Sequence, residues 1–117
     1  MGRAHKGQQY RHAPAFILLF LAQADAYGGT LLSRLETELP AYRPDSAVIY
    51  RSLQSLEEEG AVESYWQTES SGPPKKWYRI TEVGHQRLRE LRDDIEARQQ
   101  NLAYFLRTYA HMFEQAP

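Results

Sequence analysis

Cysteine is absent from the 117 residues, which excludes a disulfide framework, thiolate metal sites and a cysteine nucleophile. Histidine is scarce: His5, His12, His85 and His111 are scattered and none sits at the spacing of a familiar catalytic zinc motif, so no metal is expected. Also missing are a glycine-rich phosphate loop, a nucleophile elbow around a serine and paired carboxylates in an apolar setting. No enzyme and no cofactor are therefore expected. The longest apolar run, APAFILLFLAQA from Ala13 to Ala24, falls short of the roughly 20 residues of a membrane helix. Arg3, Lys6 and Arg11 precede it as they would a signal peptide. No small-residue cleavage signature stands out, however, and the run continues into a patterned helical region, so the expectation is a buried helix and no membrane partner.

A strong excess of either charge is missing too. Net charge is −1, with 42% apolar and 25% charged residues, as in an ordinary folded domain of one core. The charge is unevenly placed, however. Arg3, Lys6 and Arg11 lie in an acid-free stretch, and Lys75, Lys76 and Arg79 lie in another from Ser70 to Thr81, whereas acids collect at Glu57 to Glu59 and at Asp93, Asp94 and Glu96. A chain neutral overall can still present one positive face.

The pattern along the chain reads as helices, a hairpin and a final helix. Residues 1–13 are polar and aperiodic, a flexible basic arm. Pro14 suits a first helical turn, and that helix is predicted to run to Ala24 with Phe16, Leu19 and Phe20 toward the core, ending at a break marked by Asp25, Gly28 and Gly29. A second helix, TLLSRLETEL, begins at Thr30 with Leu31, Leu32, Leu35 and Leu39 at helical spacing, and Pro40 ends it. Asp45 or Ser46 can cap a third, with Ile49, Leu53 and Leu56 inward, Ala47, Tyr50, Arg51 and Gln54 outward, and Gly60 as terminator. AVESYWQT and KWYRIT then read as hairpin strands. Thr81 caps the last helix, Glu82 to about Phe113, whose Leu88, Leu91, Ile95, Leu102, Phe105, Tyr109 and Met112 follow heptad spacing with Arg98 as a polar interruption. A helix of that length needs a partner, and the expected one is a second copy of the chain.

Such an order predicts an α+β, mainly α fold: a winged helix-turn-helix over residues 14–81 and a C-terminal dimerisation helix and tail over 82–117. In that plan the third helix enters a DNA major groove while the hairpin tip lies on the backbone or in the minor groove. Ser46 and Ala47 permit close approach to bases, Tyr50 can donate to a phosphate, and Arg51 can pair with a phosphate or a guanine edge. Lys75 and Lys76 are expected phosphate contacts on a wing stiffened by Pro73 and Pro74. Tyr27 and Thr30 flank the start of the second helix, where free amides favour an anion. Arg11 of the arm is expected to reach DNA as well.

DAYGGTLLSRLE, VIYRSLQSLEEEGAVES and SYWQTESSGPPKKWYRITEVGHQRL resemble the PadR family of bacterial transcriptional regulators. The short C-terminal region is similar to the branch dimerising through a single helix, and the wing is similar to that of multidrug-sensing members. The resemblance implies a cytoplasmic homodimeric repressor on a palindromic operator, released when a small aromatic effector binds. Phe16, Leu88, Leu91, Ile95, Leu102, Phe105 and Tyr109 are the candidate effector or dimer-interface residues. Gly29 stands where relatives carry a second aromatic, and Ile95 stands where multidrug-sensing relatives carry a drug-stacking indole, so a flat-drug sandwich is not implied.

Plainer readings stand beside these. Trp66 and Trp77 read first as the packed face of a hairpin, and the C-terminal aromatics as interface core. A winged helix that pairs with another protein without specific DNA binding is the leading alternative; a small-molecule-binding protein is a third.

Overall fold

The computed structural model describes residues 12–41, 43, 45–68 and 72–114. Its elements are α1 (Ala13–Gln23), β1 (Ala26–Tyr27), α2 (Gly28–Glu38), α3 (Ser46–Glu58), β2 (Val62–Gln67), β3 (Lys75–Ile80) and α4 (Glu82–Phe113). The expected mainly α, winged-helix architecture with a long last helix is what forms. Its sheet has three strands in the order β1-β3-β2, where the sequence pattern suggests only a hairpin. The extra strand is two residues long, too short to leave a period in the sequence, and the residues expected to form a simple break supply it. Gly28 and Gly29 then open α2, two residues earlier than its apolar spacing indicates.

The core follows from the helical stripes. Ile17, Leu18, Phe20 and Leu21 of α1 meet Leu31 and Leu35 of α2, Ile49, Leu53 and Leu56 of α3, and Ala26, Val62 and Tyr78 of the sheet. Leu19 is a correction: expected inward, it is 43% exposed, because its neighbours Ile17, Leu18, Phe20 and Leu21 already fill the buried arc of a helix that turns 100° per residue. Phe16, Leu88 and Leu91 are half-buried at the margin of this core.

Capping decides where α3 and α4 start and stop. Asp45 caps α3, its Oδ1 accepting from the Ala47 N–H at 2.9 Å. At the other end the Ala61 N–H reaches the Leu56 carbonyl at 2.8 Å and the Gly60 N–H reaches Glu57 at 3.0 Å. This is the paired closure in which the residue past the cap turns left-handed, and Gly60 has φ +80°. Thr81 joins the two helices: its hydroxyl donates to the Gly60 carbonyl at 2.6 Å and accepts from the Gly84 N–H at 3.1 Å, capping α4.

Gly84 makes that junction possible. A Cβ there would overlap the Ala61 carbonyl oxygen and come within 2.6 Å of Ile80 Cγ1, so the first turn of α4 sits directly on the base of the hairpin. Gly84→Ala therefore carries a diagnostic sign. At an open helical position it stabilises by up to about 1 kcal/mol; here overpacking should destabilise by about 1–3 kcal/mol. Chemical denaturation of the two proteins measures the difference.

Candidate nucleic-acid interface

The sheet presents two faces because strand side chains alternate. The register Val62↔Ile80, Ser64↔Tyr78 and Trp66↔Lys76 sets these six on the face turned to α3, where Tyr78 is buried and the Ser64 hydroxyl donates to Glu57. The opposite face carries Tyr27, Tyr65 and Trp77, with Tyr27 and Tyr65 each paired opposite Trp77 on its two edges. Tyr27 and Trp77 meet edge-on at 5.3 Å, and the Tyr65 hydroxyl donates to Asp25 Oδ2 at 2.7 Å. That bond, followed by desolvation, raises the Tyr65 pKa above the ordinary tyrosine value, since it favours the protonated phenol. The Trp77 indole Nε1 is buried and has no protein partner among the described residues.

Where α2, α3 and the wing meet lies a shallow cleft of about 390 Å³, with Tyr27, Gly28, Gly29 and Tyr50 on one side and Lys75, Lys76 and Tyr78 on the other. Its floor is the start of α2, whose N-cap residue Tyr27 makes no side-chain cap; first-turn amides there face outward with the positive end of the helix dipole. Tyr50 closes over it. A Cβ on Gly28 would fall 2.5 Å from Tyr50 Cε1 and 2.7 Å from its hydroxyl oxygen, so only glycine lets the phenol lie against the helix terminus. Lys75 completes the group, donating to the Tyr27 hydroxyl at 3.3 Å with its ammonium 4.4 Å from the Tyr27 ring centre. An ammonium, two phenols and a helix N-terminus around one concave surface make an anion-recognising arrangement.

Of the residues expected at such a surface, Tyr27, Tyr50, Lys75 and Lys76 are thus brought together. Thr30 is half-buried in the first turn of α2, while Ser46, Ala47 and Arg51 are exposed along α3 with Gln54. Lys76 differs from Lys75: it points to the α3 side, 3.6 Å from Glu57 and 5.6 Å from the Tyr78 ring centre. Glu57, one of the acids of the Glu57 to Glu59 run, thus organises the wing base through Lys76 and Ser64. No sequence spacing links residues this far apart. Arg11 lies outside the described residues, as do residues 69–71. The wing's return is formed by Gly72, in the left-handed region at φ +106°, followed by exposed Pro73 and Pro74.

The candidate effector or dimer residues separate into two places. Phe16, Leu88 and Ile95 line an apolar cleft of about 250 Å³ between α1 and α4 with Ala15, Leu19 and Arg92, and half-buried Leu91 sits beside them against the core. Leu102, Phe105 and Tyr109 lie on the far half of α4, which reaches past the body; there Tyr104, Met112 and Phe113 are exposed too. Phe105 stacks on Tyr109 with ring centres 6.2 Å apart, and Tyr109 meets Phe113 at 5.0 Å with the rings tilted by 45°. Arg98, the polar interruption, is ion-paired with Asp94 one turn earlier at 2.9 Å. No group of residues able to hold a metal occurs among the described residues, and no helix there is long and apolar enough to cross a membrane.

Comparison with known proteins agrees with this architecture. A protein X of Lysinibacillus sphaericus is 30% identical over 81 residues, spanning 68% of this chain and 74% of the relative. A PadR family regulator from Eggerthella lenta superposes with a TM-score of 0.74 over 90% of each chain at 23% identity. Bacillus subtilis PadR, solved in complex with operator DNA, superposes at 0.61 with 25% identity, covering 68% of this chain and 45% of its own. Residues 17–90, from the core of α1 through the first turns of α4, match the transcriptional regulator PadR-like family. The chain belongs to that family of transcriptional regulators, which is not a family of enzymes.

Proposed function

We propose that the protein is a sequence-specific DNA-binding repressor, acting as a cytoplasmic homodimer on a palindromic operator and released by a small aromatic effector. The observation that carries this reading is the anion-recognising cleft beside the exposed face of α3: Tyr27, Tyr50 and Lys75 surround the open N-terminus of α2, next to a helix whose outer residues Ser46, Ala47, Arg51 and Gln54 are unburied. The cleft takes a backbone phosphate and sets register, while α3 lies in the major groove and reads base edges. The Bacillus subtilis relative, solved in complex with operator DNA, supports DNA binding. Lys76, Thr30 and the arm with Arg11 add further phosphate contacts.

The two halves of α4 supply the dimer. Its bare end, Leu102 to Phe113, is too apolar to remain in water, and the α1–α4 cleft near its start is an apolar groove with Leu19 exposed at its edge. A two-fold antiparallel pairing lays each bare end against the partner's cleft. The interface so formed encloses the effector between Phe16, Leu88 and Ile95 and the partner's aromatics, and an effector that prefers the wrong spacing of the two wings lowers operator affinity by its differential affinity.

Selection from a random duplex pool by the purified protein, at low and physiological salt, should return a two-fold-symmetric site with half-sites about one turn, roughly 34 Å, apart. Purely sequence-independent, salt-labile binding would instead assign the winged helix to a protein partner. Within that site, Gly28→Ala should weaken binding about tenfold, one lost hydrogen bond to a charged group, and have little further effect in a Tyr50→Ala background, because its Cβ acts by displacing the Tyr50 ring; additive losses would place its effect elsewhere. Phe105→Asp together with Tyr109→Asp should leave a folded helical monomer in sedimentation equilibrium, and a persistent dimer would exclude this end of α4 from the interface.

A further inference from the structure

Among the described residues the most exposed large apolar side chain is not on α4. It is Trp66, 68% exposed, at the penultimate position of β2. The sequence pattern places it in a packed hairpin face together with Trp77, and only Trp77 is packed, against Tyr27. Trp66 lies opposite Lys76 on the face that turns toward α3, but beyond the part of that face which α3 covers: Ser64, two residues earlier, is the one that reaches Glu57. The indole therefore projects from the wing on the same side as the recognition helix. Beside it are Lys76 and the return of the wing through Pro73 and Pro74, which fixes the strand ends.

An indole held out on a strand opposite Lys76 suits a surface that is apolar in narrow strips between anionic ones. The sugar edge of a DNA minor groove is such a surface: deoxyribose carbons line its wall between phosphates. Resting on the DNA-binding reading above, we propose that Trp66 is a DNA-contacting residue of the wing, packing its indole on the deoxyribose wall of the minor groove flanking each half-site. The contact is apolar, so it adds affinity without releasing counterions. This separates it from every lysine contact in the interface, each of which steepens the salt dependence.

The test uses the full-length protein and the duplex recovered by selection. In a Trp77→Phe background, which keeps an aromatic ring against Tyr27, Trp66 is the sole indole. Adding the duplex should shift its emission to the blue and protect it from the neutral quencher acrylamide. Trp66→Ala should weaken binding about tenfold, as expected for losing a half-buried aromatic contact, with the slope of log affinity against log salt unchanged; Trp66→Phe should recover most of that loss. Lys75→Ala, as the electrostatic control, should lower the slope by about 0.9 for each subunit's phosphate. If the duplex binds with normal affinity while Trp66 stays fully open to acrylamide, the Trp66 proposal is wrong and the repressor reading stands. A protein that selects no duplex at all overturns both.

Discussion

Strand β3 is hydrogen-bonded along both edges, to β1 on one side and β2 on the other, and everything else in the molecule takes its position from that strand. Its inner face buries Tyr78 in the helical core. Its outer face holds Trp77 between Tyr27 and Tyr65. Its first residues are the two lysines of the wing, and its last, Ile80, lies under the opening turn of α4. A six-residue strand thus connects the core, the cleft beside α2 and the long helix.

The short β1 pairing has consequences beyond two hydrogen-bonded residues. By tying Ala26 and Tyr27 to the sheet, it fixes where α2 begins, and hence where the positive end of that helix emerges. Tyr27 then lies within reach of Lys75, and Gly28 under the ring of Tyr50. The small residue and the large one are complementary: the absent side chain of Gly28 is the space that the phenol fills. Around this point electrostatics and packing act together, since the lysine is oriented partly by a hydrogen bond and partly by the face of an aromatic ring.

At the other end of the strand, Gly84 and Thr81 bring α4 onto the hairpin base without an intervening loop. A helix of 32 residues leaving a body this small is anchored on one half only. The anchored half covers part of its stripe against α1, leaving Leu88, Leu91 and Ile95 half-buried, and the other half carries an apolar surface that the monomer cannot cover. One hydrophobic pattern thereby serves two surfaces, and the change occurs near Arg98, where the ion pair with Asp94 interrupts the stripe.

The helices, their caps and the outward face of α3 were determined by local sequence: apolar spacing at 3.6 residues, Asp45 and Thr81 at N-caps, and Gly60 past a C-cap each act within a turn or two of themselves. The heptad of α4 and the wing lysines were legible for the same reason, and the resemblance to the PadR family drew on that same local pattern. Tertiary structure alone decided the third strand, the exposure of Trp66, the closing of Tyr50 over Gly28, and the different neighbours of Lys75 and Lys76. Those depend on contacts between residues on separate elements, as in the Lys75–Tyr27 pair. Strand register selects which of two adjacent lysines meets Tyr27 and which meets Glu57, and no periodicity along the chain encodes that choice.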